Sequence, residues 1–117
     1  MLAAYLDTAS DIFLLALVEV LGRLHYVPAC GPLLKLAGHE DPEVRKTVLV
    51  ALAGYEGDDV LRTVIARLSD PHWSVRKAAV EALKHNRDTA VESLLAKIAD
   101  GDPDTAVRQA ANEALGR

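Results

Sequence analysis

The stretch Asp70-Pro71-His72-Trp73-Ser74-Val75-Arg76-Lys77-Ala78-Ala79-Val80-Glu81-Ala82-Leu83 decides the fold, because relatives of it stand on either side. Upstream runs Asp41-Pro42-Glu43-Val44-Arg45-Lys46-Thr47-Val48-Leu49-Val50-Ala51-Leu52. Downstream runs Asp102-Pro103-Asp104-Thr105-Ala106-Val107-Arg108-Gln109-Ala110-Ala111-Asn112-Glu113-Ala114-Leu115. Val44, Val75 and Val107 are 31 and then 32 residues apart, and the closing leucines keep the same steps. Counting back 31 from Leu52 reaches Leu21, the end of a fourth related run that starts near Phe13. A fixed period of this length marks a stack of repeated supersecondary units.

Within each run the apolar residues recur at helical spacing. Val44, Thr47, Val48, Ala51 and Leu52 share one helical face, as do Val75, Ala78, Ala79, Ala82 and Leu83. The small Ala and Thr side chains at its centre let neighbouring helices approach closely. The Asp of each Asp-Pro is expected to cap its helix, accepting from first-turn amides at the positive end of the helix dipole. Pro would then take the first helical position, where a missing N–H is no loss. Between these helices, called B, a second type, A, carries the stripes Val60, Leu61, Val64, Ile65, Leu68 and Ala90, Val91, Leu94, Leu95, Ile98. Gly54 and Gly57, then His85 to Asp88, separate the two types. The A helix around Leu33, Leu34 and Leu36 starts through Pro28, Gly31 and Pro32, which predicts a short or irregular first turn. No segment keeps strand alternation. The expectation is one all-α domain over residues 1–117, with B helices near 11–24, 42–54, 72–85 and 104–116 and A helices near 30–38, 58–69 and 88–99.

The Asp-Pro-x-Val-Arg and Asp-Pro-x-x-x-Val-Arg blocks, each followed by an Ala-rich helix, resemble the short HEAT repeats of bacteria and archaea that also occur in phycobilisome lyases. The resemblance covers about residues 30–117 strongly and the preceding residues weakly. It implies a right-handed α-α superhelix, a HEAT-like solenoid of about three and a half helical hairpins. In similar repeats the motif acid and arginine form polar ladders between units, a structural role carried here to Asp41, Arg45, Asp70, Arg76, Asp102 and Arg108. Fold alone says little about activity.

Composition narrows the function. Half of the 117 residues are hydrophobic and only 4% aromatic, so the core is built from Ala, Val, Leu and Ile. A net charge of −4 argues against a general nucleic-acid binder, which needs a basic face for phosphates. The apolar run Ile12 to Leu21 is interrupted by Glu19 and too short to span a bilayer. No Lys or Arg precedes Arg23, so the basic start of a signal peptide is missing. The single Cys30 leaves no internal disulfide and fits a reducing compartment. The expected location is cytoplasmic, with neither membrane nor nucleic acid as partner.

Chemistry is sparse. His25, His39, His72 and His85 all fall at helix junctions, and no two share a helical face at metal-binding spacing. Deoxyhypusine hydroxylase, which is similar in fold, places His-Glu iron ligands just after the Val-Arg of its B helices. Here those places hold Lys46-Thr47, Lys77-Ala78 and Gln109-Ala110. Cys30 has no evident base, and Gly54-x-x-Gly57 has neither the strand nor the Lys of a phosphate loop. No cofactor, metal or catalytic residue is expected. The lyase resemblance keeps a chromophore-lyase-like subunit as an alternative, beside a purely structural piece of a larger repeat protein.

The expected activity is therefore protein binding, as a scaffold. Stacked hairpins present their B helices along one surface. Its candidate contact residues are Lys46, Val50, Trp73, Lys77, Glu81, Lys84, Gln109 and Glu113. Trp73 stands out because Trp is enriched at binding hot spots, although an aromatic at this turn also packs in similar repeats. Ahead of this concave B-helix face, the first candidate contact is the first helix, whose Phe13, Leu14, Leu15 and Val18 make it apolar nearly all round. That pattern predicts burial on more than one side, by a second copy or by upstream repeats.

Overall fold

The chain was examined as a computed structural model, which describes residues 11–24 and 30–117, without the side chains of residues 11–14, 21 and 22. Seven α-helices are described: α1 (Asp11–Leu24), α2 (Cys30–Leu36), α3 (Pro42–Leu52), α4 (Asp58–Ala66), α5 (Trp73–Ala82), α6 (Thr89–Gly101) and α7 (Thr105–Ala114). No strand occurs among the described residues. His25 and Pro28 lie outside them, as does everything before Asp11.

The helices pair as the period predicts. α1, α3, α5 and α7 form a row of B helices, each packed on the next, while α2, α4 and α6 cover α3, α5 and α7. The result is an all-α solenoid. Three inter-helix steps of roughly 8–10 Å plus one helix diameter of roughly 10 Å give roughly 34–40 Å, most of the long axis of 42 Å, against 25 and 18 Å across. Short side chains make those steps possible: Ala51, Ala78, Ala79, Ala110 and Ala111 are all buried in the row. Around them Val44, Val48, Leu49, Leu52, Val75, Val80 and Val107 are fully enclosed. The A helices add Leu33, Val60, Val64, Val91 and Leu95. α2 is short, at seven residues, and is helical from Cys30 onward despite Gly31 and Pro32 in its first turn. The last turn of α4 tightens into a 3₁₀ segment at Arg67–Ser69, which delivers the chain to Asp70.

Two expectations are corrected here. The buried arc of a B helix is wider than one stripe, because the helix has an A helix behind it and B helices on its flanks. Leu49 and Val80 are fully buried, and Val18, one period before Leu49, is fully buried as well. Val18 therefore belongs to the ordinary core and is not offered to a second molecule. Leu15 is half-buried against the same core, and the side chains of Phe13 and Leu14 lie outside the described residues. Among its described side chains, the large apolar ones that α1 exposes are Val20 and Leu24, 45% and 66% accessible.

The second correction concerns the Asp-Pro turns. Asp41 caps α3, accepting from the Glu43 amide at 2.9 Å, with Pro42 in the first turn. In the later copies the caps are His72, accepting from Ser74 N at 3.2 Å, and Asp104, accepting from Ala106 N at 2.8 Å. Asp70 and Asp102 sit two residues further back. The Asp-Pro pair thus serves two registers: four residues before the arginine in one copy, and six before it in the other two.

Candidate interaction surface on the B-helix row

The polar residues of the repeat first have to be sorted into those that hold the stack and those it displays. Arg45 reaches from α3 to the next turn. Its Nε and Nη2 donate to the two carboxylate oxygens of Asp70 at 2.9 and 3.0 Å, and its Nη1 donates to the carbonyls of His39 and Glu40. The Asp70 side chain is wholly enclosed and that of Arg45 is 11% exposed. Arg76 repeats the arrangement one unit on, with Nε and Nη2 on Asp102 at 2.9 and 3.3 Å and Nη1 on the Asp70 carbonyl. Each arginine clamps its own turn and the carboxylate of the next. Arg108 keeps the turn contact, to the Asp102 carbonyl, and sends Nη2 to Thr105 Oγ1 at 3.0 Å.

Each acid also shapes its turn: Asp70 and Asp102 accept the amides of His72 and Asp104 at 2.9 Å. His39 occupies the same place in the first copy, where its Nδ1 accepts the Asp41 amide at 3.0 Å. One period before Arg45 stands Leu14, so no guanidinium is available to an acid at position 39, and a neutral acceptor serves. Burial pushes the Asp70 carboxyl up. The hydrogen bond from Arg45, the His72 amide, and the charges of Arg45 and Arg67 (Nη1 at 3.2 Å) outweigh it and hold the group below the ordinary carboxylate range. These residues are committed to the ladder. Asp41 is instead a helix cap.

The remaining candidates lie on the exposed side of the row. Lys46, Val50, Trp73, Lys77, Glu81 and Lys84 come together around one groove of about 300 Å³ between α3 and α5, with Ala53, Ser74, Ala78 and Ala82 among its walls. Val50 is 65% exposed and Trp73 45%. The Trp73 ring lies nearly parallel to that of His72, with centroids 6.3 Å apart. Gln109 and Glu113 line a smaller neighbouring groove with Lys77 and Glu81, between α5 and α7. On the other side, Glu19 and Arg23 of α1 extend the surface toward Lys46 and Val50. Sequence reasoning passed over those two, although Glu19 is one period before Val50 and could have been found by the same counting.

A further depression of about 320 Å³ opens beside the turn between α3 and α4, lined in part by Tyr55, Gly57, Val60 and Asn86. Burial, helped by the nearby Cys30 thiol, pushes the Tyr55 hydroxyl above its ordinary value. Cys30 itself is half-buried against the core. Among the described residues no three His, Cys, Asp or Glu side chains gather as a metal-holding group, and no helix is long and apolar enough to cross a membrane.

Comparison with known proteins agrees with this geometry. Residues 61–117 match a family model described as HEAT repeats. A comparison with curated proteins gave no match. The matched segment runs from α4 to the last residue; α1 to α3 continue the same helix pairing upstream of it, and Arg45 of α3 adds one more rung to the arginine–aspartate ladder. Residues 61–117 are HEAT-like repeats, and the helices before them extend the same all-α stack.

Proposed function

We propose that this protein is a non-catalytic binding module that engages another protein through the groove between α3 and α5. One observation carries the reading: Val50 and Trp73, two large apolar side chains, stay exposed on either side of a groove in a fold whose other B-helix apolar side chains are mostly enclosed. HEAT repeats generally mediate protein–protein contact, and the groove's volume is at the bottom of the range of roughly 300–1,000 Å³ usual for small-molecule sites. It suits one or two side chains of a partner better than a chromophore. Affinity capture with the wild type, Val50→Glu, Trp73→Ala and a distant control, Arg62→Glu, tests this. Support requires a partner retained by wild type and control and lost by both groove variants. A partner retained equally by all four refutes it.

The exposed Val20 and Leu24 favour a second contact, in which α1 pairs with another copy or with further repeats. Light scattering across a concentration series should then show self-association that Val20→Glu/Leu24→Glu removes. A wild type that stays monomeric throughout excludes the pairing between copies.

A further inference from the structure

The charge around this groove identifies the chemistry of its occupant. Lys46, Val50 and the two later pairs Lys77/Glu81 and Gln109/Glu113 occupy equivalent places, four residues apart on successive B helices. On α5 the pair is closed, with Lys77 Nζ 3.8 Å from Glu81. On α7 Gln109 Nε2 donates to Glu113 at 3.4 Å. On α3 the acid is replaced by Val50. Lys46 consequently has no carboxylate within 4 Å among the described residues, and neither has Lys84 at the far end of the groove. Three lysines and one glutamate border an opening that also exposes Val50 and Trp73, a local excess of two positive charges on a protein whose net charge is −4.

We propose, building on the groove reading above, that the partner segment is acidic and carries an apolar side chain at its centre. The apolar side chain lies between Val50 and Trp73, and flanking carboxylates meet Lys46 and Lys84. Opposite charge at the rim steers the encounter and rejects basic competitors, while the enclosed apolar contact supplies most of the affinity. The same rim repels a basic segment, and it does so from both ends.

Trp73 is the protein's single tryptophan, so its emission reports this groove alone. The test uses three synthetic octapeptides with a central Leu-Leu, flanked on both sides by Glu, Gln or Lys, titrated to millimolar concentration. The Glu peptide should shift the Trp73 emission saturably, on the order of tenfold more tightly than the Gln peptide, as two exposed ion pairs would give. The Lys peptide should be weakest, and added salt should narrow the differences. Lys46→Glu/Lys84→Glu, two exposed positions whose change can be checked for intact helix content, should reverse the order. If all three peptides bind alike, the charge assignment is wrong and the groove reading stands. If none moves the emission, the groove reading itself fails, and this inference with it.

Discussion

Substituting Asp70 by Asn tests whether the buried ladder holds the repeats together. Four donors converge on this carboxylate: Arg45 Nε and Nη2, the His72 amide and Arg67 Nη1. Asn keeps the shape and one acceptor oxygen, but it turns an NH₂ group toward donors and removes the charge opposite a guanidinium that is itself nearly enclosed. Losing two charge-assisted hydrogen bonds costs about 3–6 kcal/mol, and breaking a buried pair from one side costs about 3–5 by comparison with other proteins. The two routes agree on about 3–5 kcal/mol. For 117 residues the whole stability is on the order of 6–18 kcal/mol, so the loss is a large part of it. At roughly 4 °C per kcal/mol the melting temperature falls by about 12–20 °C. Urea denaturation followed by circular dichroism measures the change, with Arg45→Met and Arg45→Met/Asp70→Asn completing a double-mutant cycle. The double variant should lose less than the sum of the singles by about 2–3 kcal/mol, since each single leaves a buried charge without its main counter-charge and the double removes both charges. A loss under about 1 kcal/mol, or additivity within about 0.5, would refute the claim that the ladder stabilises the stack.

Because the folded Asp70 carboxyl titrates below its ordinary value, its contribution is complete above that ordinary value and vanishes as pH falls through the lower, folded one. The stability gap between wild type and Asp70→Asn should therefore narrow on acidification below about pH 4, and a gap that widens there would contradict the assignment. Asp104→Ala removes the acceptor for Ala106 N and Val107 N and should cost about 1 kcal/mol in the same urea assay. Leu95→Ala empties a fully enclosed site on α6 and should cost about 2–5 kcal/mol. Gly57→Ala meets no neighbouring atom, yet should cost about 1–3 kcal/mol, because φ is +125° just before α4. The exposed Arg62–Asp59 pair makes the contrast: Arg62→Ala should leave the denaturation midpoint unchanged.

How much of this was legible beforehand differs from residue to residue. The Val-Arg dipeptide and the 31- to 32-residue step are local marks of one helix packed the same way each time, so counting alone found α3, α5, α7 and the end of α1. The Asp-Pro pairs misled because the same two residues suit either a cap or the turn before it. Only the positions of the first-turn amides distinguish the registers, and these put His72 and Asp104, rather than Asp70 and Asp102, at the caps. Leu49, Val80 and Val18 were underestimated because a single-helix stripe takes no account of flanking helices.

The sequence by itself determined that the chain is an all-α repeat with a polar motif at each turn, since periodic apolar faces admit few other arrangements. It also named the ridge residues of α3, α5 and α7, though not Glu19 and Arg23 of α1. Tertiary structure decided which of them meet. It set Arg45 on Asp70 across 25 residues, withdrew Val18 into the core, and left Val50 and Trp73 facing one opening between Lys46 and Lys84. These are relations between neighbouring units, fixed by how closely alanine-faced helices pack side by side. Spacing along one helix cannot express them.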